Sequence, residues 1–173
     1  MLKKFAVIGR KGAGRSEVLL QLVAIFKSRG YRVGVVRHLK RDDLEIDQPG
    51  KDTYEYRMRG AQKVILSGRK RCAVFENRDE ELSIQELLKA FAGYDFVFFE
   101  EYFSWDLPAI EVHQQGAGDL LPEKMHRRIA LCSDRAPLEA EKSEPFFSPE
   151  EVSLLADFIE CFNEFQEKET VSC

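Results

Sequence analysis

Eight residues near the start of the chain, Gly9-Arg10-Lys11-Gly12-Ala13-Gly14-Arg15-Ser16, have the composition and spacing to hold an anion. Three glycines let the backbone curl so that successive N–H groups converge on one point. The apolar run Phe5-Ala6-Val7-Ile8 precedes them, and a helix-like run from Glu17 to Arg29 follows. Strand, Gly-rich turn and helix in that order make a phosphate-binding loop, whose helix N-terminus adds partial positive charge. Ser16 stands where a hydroxyl ligates magnesium. The spacing is G-x-x-x-x-G-[K]-[ST], but Arg15 fills the lysine position. Arginine keeps the charge without the compact geometry of lysine. Gly9, Arg10, Lys11, Gly12, Ala13, Gly14, Arg15, Ser16 and Glu17 are therefore expected to bind phosphate, and efficient hydrolysis is not expected.

Other candidates must reach that loop from elsewhere in the chain. Glu100 ends the apolar run 96–99, where a carboxylate in such proteins holds magnesium, usually through water. His38, Asp42, Asp43 and Asp47 lie in a long charged stretch, and a carboxylate there could orient a water at a terminal phosphate. Asp47 is favoured among them, because Pro49-Gly50-Lys51 fixes the chain beside a cation. Asp134 follows a late strand; a carboxylate there can accept both N1–H and N2–H of guanine, although an Asx turn explains it equally well. His113 and His126 have no support as metal or catalytic residues. Arg57, Arg59 and Arg69-Lys70-Arg71 read as a basic surface for an anion or as a solvated face.

The elements that would position these residues follow from periodicity. Residues 4–9 read as a strand. The following helix keeps Val18, Leu19, Leu22, Val23 and Phe26 on one stripe and ends at Gly30. Residues 31–36 read as a second, buried strand. A short helix over 52–59 ends at Gly60. Residues 62–67 and 70–76 form a hairpin about Gly68. Ser83 and Glu86 make a capping box for a helix over 84–92. Strands follow at 96–99, 109–113 and 128–132, with a Gly-containing loop at 114–124. These strands and helices point to an α/β domain with a mostly parallel sheet and an additional antiparallel hairpin. The expected organisation is a nucleotide-binding domain over 1–135, a linker over 136–147 and a C-terminal helix over 148–167 packing on the same domain. That helix opens on the capping box Ser148-Pro149-Glu150-Glu151 and carries Val152, Leu155, Phe158, Ile159, Phe162 and Phe165 on its apolar side.

Composition sets outer bounds. The chain has 173 residues, 44% of them apolar, enough for a sizeable core. A net charge of −4 argues against a nucleic-acid binder. No stretch is long and apolar enough to span a membrane, and a start running directly into a strand leaves no room for a signal peptide. Cys72, Cys132, Cys161 and Cys173 are far apart, as expected of thiols in a reducing cytosol, with a zinc site unlikely from that spacing. A cytoplasmic location is expected.

Taken together, the loop at 9–16, Gly34-Val-Val-Arg-His38, Asp47-Gln-Pro-Gly-Lys-Asp52 followed by Gly60-Ala61, Lys70-Arg71, the run Phe96 to Glu100 and Ile110-Glu-Val-His113 resemble the MobB family of molybdopterin-guanine dinucleotide biosynthesis adaptors. The Pro-Gly-Lys-Asp segment, at its distance from the loop, is the most distinctive of these. The resemblance covers residues 4 to about 160. It implies a P-loop NTPase-like three-layer fold, a homodimer, and binding of GTP and Mg2+ with weak hydrolysis. It also implies a partner, the guanylyltransferase that joins GMP to molybdopterin, with molybdopterin itself a possible ligand. By position, Gly9 to Ser16 would hold the GTP phosphates and Ser16 and Glu100 would serve magnesium. His38 with Asp47 to Asp52, Lys51 included, would form a switch-like loop near the nucleotide. Two departures from the family pattern, Arg15 for lysine and Glu101 for the usual glycine, imply a weaker or altered nucleotide response. The competing readings are a non-catalytic module acting through its surface and a small-molecule kinase. The missing lysine and the lack of an arginine-rich lid argue against the kinase.

Overall fold

The computed structural model describes residues 1–39, 47–104, 106–136 and 144–163. Asp42, Asp43, most of the 136–147 segment and Phe165 lie outside the described residues. The chain divides into two compact units, one of Met1–His38 with Leu88–Cys173 and one of Leu39–Leu87.

The first unit holds a six-stranded sheet of β1 (Lys3–Ile8), β2 (Val33–Arg37), β5 (Phe96–Glu100), β6 (Pro108–His113), β7 (Arg127–Ser133) and β8 (Phe146–Phe147), in the order β2-β5-β1-β6-β7-β8. Every pairing in it is parallel. All strands therefore end on one edge, and the chain passes from one side of β1 to the other between β5 and β6. That reversal of strand order is where open parallel sheets bind ligands.

Helix α1 (Arg15–Ser28) and helix α4 (Val152–Cys161) pack on the same face. Their stripes, Val18, Leu22 and Phe26 with Leu155 and Ile159, meet Phe5, Val7, Phe96, Phe98, Ile110 and Val112 from the strands. Phe26 stacks on Phe96 at 4.2 Å between ring centroids. Each such fully buried side chain contributes about 1.5–3 kcal/mol. Lys3 donates its ammonium to the carbonyls of Glu160 and Phe162, which closes the end of α4 onto β1. Arg29 at the end of α1 pairs with Asp157 and Glu160 of α4. Helix α4 falls in the unit that carries the Gly-rich loop. Its capping box forms, with the Ser148 amide donating to Glu151 Oε2 at 2.9 Å, but the first turn, Pro149–Glu151, is 3-10. The segment read as a linker ends in a strand: Phe146–Phe147 pair with Leu131 and Cys132. Cys132 is buried, and loss of water pushes its thiol up to about 11.

The opposite face of the sheet is closed at β2 by Phe91. Gly34 lies under its ring, and a Cβ there would meet Phe91 Cδ1 at 2.5 Å and Val97 Cγ2 at 3.4 Å. An aromatic ring held against a sheet cannot withdraw as a flexible side-chain tip can. Gly34→Ala is expected to destabilise the chain by about 1–3 kcal/mol, the usual cost of overpacking. A urea midpoint equal to wild type would show that the ring is free to move.

The second unit contains α2 (Asp52–Met58), the antiparallel pair β3 (Lys63–Ser67) and β4 (Cys72–Glu76), and the start of α3 (Ile84–Lys89). The hairpin and the Ser83–Glu86 capping box fall where periodicity places them. Tyr56, Met58, Ile65 and Val74 are exposed in this unit.

Candidate functional site

The loop at 9–16 leaves β1 at the ligand edge of the sheet and enters α1. Its conformation explains its glycines. Gly9 has φ 152, and a Cβ on it would meet the Val112 carbonyl oxygen at 2.2 Å. Gly14, at the helix cap, has φ 81 in the left-handed region. The turn is closed by the Ala13 amide donating to the Arg10 carbonyl at 3.1 Å, and Ala13 is buried. The first amides of α1 have no partner within the helix, as at every helix start.

The polar side chains of the loop meet the end of β5. Ser16 donates its hydroxyl to Glu100 Oε1 at 2.6 Å. Glu100 is buried and lies 3.7 Å from Arg37 Nε. The sequence paired Ser16 with Glu100 as magnesium residues, and the fold brings them together. A hydroxyl beside one carboxylate, both hard oxygen donors, fits a magnesium ion that takes its other ligands from phosphate and water. Arg15 donates through Nη1 to the Gly9 carbonyl at 2.7 Å and through Nη2 to Glu101. Arg10 donates to the Asp119 carbonyl at 2.5 Å and lies against Gly118. Lys11 and Glu17 are exposed.

Beside the loop lies a cavity of about 380 Å³ formed by the residues after β6 and β7. Its lining includes His113, Gly118, Asp119, Ser133 and Arg135. Arg10 joins it to the loop through Gly118 and Asp119. His113 Nε2 lies 2.9 Å from the Gly118 carbonyl, which can only accept, so that nitrogen carries a proton. In the neutral ring Nδ1 then accepts from the Ser133 hydroxyl at 3.0 Å, while Ser133 Oγ accepts from the Arg135 amide. Asp134 accepts the Gln115 amide at 2.9 Å, a bridge between the two loops that border the cavity. The sequence missed the His113–Ser133 pair. The available signal was that both residues end strands on the same edge.

A buried ionic cluster meets the chain next to the cavity-lining Leu120. Glu111 accepts the Leu121 amide at 2.6 Å and Arg128 Nη1 at 2.8 Å, and Arg128 continues to Glu144 at 3.2 Å. His126 Nε2 stands 3.5 Å from Glu111, at the outer limit of a hydrogen bond.

Of the residues expected to act on water, His38 lies in the first unit. Its amide donates to the Glu100 carbonyl at 3.0 Å and its ring meets Tyr102 edge-on at 5.2 Å. Asp47 lies in the second unit, buried, accepting the Thr53 hydroxyl at 2.6 Å with Arg57 Nε at 3.5 Å. Lys51, exposed, precedes α2 at its cap position.

The family model for Molybdopterin guanine dinucleotide synthesis protein B, MobB, matches residues 5–134. The chain is 30% identical over 165 residues to the Escherichia coli K12 molybdopterin-guanine dinucleotide biosynthesis adapter protein, covering 92% of each. It is 27% identical over 156 residues to the Haemophilus influenzae protein of that name, covering 89% of this chain and 85% of the other. The crystal structure of a MobB homologue from Bacillus stearothermophilus superposes with a TM-score of 0.67 at 19% identity, covering 92% of this chain and 99% of the other. That likeness concerns the fold. With a family match across most of its length and relatives matched nearly end to end, the chain belongs to the MobB family.

Proposed function

We propose that the chain is a GTP-binding adaptor in molybdopterin-guanine dinucleotide biosynthesis, with slow hydrolysis at most. The observation that carries this reading is the placement of the 9–16 loop at the reversal of strand order, with the Ser16 hydroxyl on the Glu100 carboxylate. In this reading the loop amides take the phosphates, and Ser16 and Glu100 hold Mg2+, which screens phosphate charge when bound. The cavity beside the loop takes the base, with Asp134 and His113 at its rim. His38 faces the nucleotide from beside Glu100, while Asp47 acts through Thr53 and Arg57 to shape the turn that carries Lys51. The adaptor works in the cytoplasm with a guanylyltransferase as its partner enzyme. It works as a homodimer, in which a second copy covers the exposed Ile65 and Val74.

The test is thermal denaturation with GTP, GDP and ATP, with and without magnesium. A ligand at a hundred times its dissociation constant stabilises the folded state by about 2.7 kcal/mol. GTP with magnesium is expected to raise the midpoint more than ATP does. An unmoved midpoint with every nucleotide would favour a module that acts only through its surface.

A further inference from the structure

Two carboxylates follow one another at the end of β5, and the backbone sends them to different partners. Glu100 still belongs to the strand and accepts from Ser16. Glu101 has left it. Its φ is 64, in the left-handed region that favours glycine, and its amide donates to the Val7 carbonyl at 3.2 Å. That turn directs its side chain onto Arg15. The paired side chains are 13% and 15% exposed, so water screens the pair only in part. Arg15 also donates to the carbonyl of Gly9, the first residue of the loop. The guanidinium is therefore clamped between the loop's entrance and Glu101.

In a loop of this spacing the amides cradle the inner phosphates, and the cation at position 15 meets the outer ones. Here that cation already has a counter-ion. A terminal phosphate brought to Arg15 would face the Glu101 carboxylate in a partly shielded site, where like charges repel far more than in water. The inner phosphates meet backbone amides, which the pair does not occupy. We infer that Glu101 stands in for the terminal phosphate and sets the length of the phosphate chain. The loop takes a nucleoside diphosphate with the Arg15–Glu101 pair closed, and takes a triphosphate only by displacing the carboxylate. This rests on the phosphate-binding reading of the loop and adds to it which phosphate chain is preferred.

The test is calorimetric titration of GDP and a non-hydrolysable GTP analogue, with magnesium, into the full chain and into Glu101→Gln and Glu101→Gly. Glutamine removes the charge at nearly constant shape. Glycine removes the side chain and suits the left-handed backbone. Wild type is expected to bind GDP at least as tightly as the triphosphate. Both variants are expected to shift the ratio of affinities toward the triphosphate by about tenfold or more, with GDP itself changing by less than about threefold. A wild type that clearly prefers the triphosphate, or variants in which both affinities move together, would overturn the inference and leave the phosphate site intact. Absence of binding by either nucleotide to all three proteins would instead remove the phosphate-binding reading, and the inference with it.

Discussion

Gly9→Ala is expected to lose both folding stability and phosphate binding, and to lose far more of each than Gly12→Ala. The two glycines share a loop and differ in surroundings. A Cβ on Gly12, at φ 83, meets nothing within 4 Å among the described residues. Its substitution carries only the cost of a left-handed residue, about 1–2 kcal/mol. A Cβ on Gly9 would sit 2.2 Å from the Val112 carbonyl oxygen, and the φ of 152 is one that residues with side chains rarely adopt. Val112 is buried in β6, so its carbonyl cannot retreat without disturbing the sheet. Strain and overpacking together are expected to cost at least about 3 kcal/mol. The same displacement moves the Gly9 carbonyl that holds Arg15, so the loop would lose its shape even where the domain survives. Urea midpoints of the two variants, with GDP and GTP titrations on whichever folds, are the measurement. Equal midpoints and equal binding would mean that the entrance to the loop has slack the structure does not show.

Much of this was legible because its signals are local. The glycines, Ser16 and the flanking apolar runs announce the loop within a dozen residues, and the boxes at Ser83–Glu86 and Ser148–Glu151 announce helices within four. What escaped depends on contacts between distant parts of the chain. The partner of Arg15 lies 86 positions away, and only the parallel pairing of β1 with β5 brings the two together. Strand β8 is two residues long and exists because β7 offers it an edge, so no periodicity could reveal it. Pro49-Gly50-Lys51 favours Asp47 for chemistry. Its observed partners, Thr53 and Arg57, are one helical turn apart and so share a face of α2, a pattern already present in the sequence. Glu111 likewise left a trace, a carboxylate inside the apolar run Ala109 to Val112, which asks for a buried partner.

That partner makes Glu111→Ala the second substitution with a large expected effect. Glu111 and Arg128 have side chains 2% and 5% exposed. Breaking such a pair from one side leaves a buried charge and costs about 3–5 kcal/mol. Arg128 keeps Glu144, so the lower end, about 3 kcal/mol, is expected. The pair also has a pH signature. Burial by itself raises the Glu111 carboxyl, but the contacts from His126, the Leu121 amide and Arg128 outweigh it and hold the group below its ordinary value. A carboxylate depressed by folding contributes stability in full above its unfolded pKa, about 4.3. That contribution fades as pH falls from there through the lower folded value. Wild type should therefore lose stability below that point, and Glu111→Gln should show a shallower acid limb, with a smaller loss at neutral pH than Glu111→Ala. Leu121 is the link to the site: the hydrogen bond its amide donates to Glu111 anchors the segment in which Gly118, Asp119 and Leu120 line the cavity. Glutamine can still accept that bond and alanine cannot. Alanine should thus loosen the rim and quicken hydrogen exchange over 116–121, while glutamine leaves exchange there near wild type. Equal exchange in the two variants would show that the charge pair, and not the Leu121 bond, holds the cavity in shape.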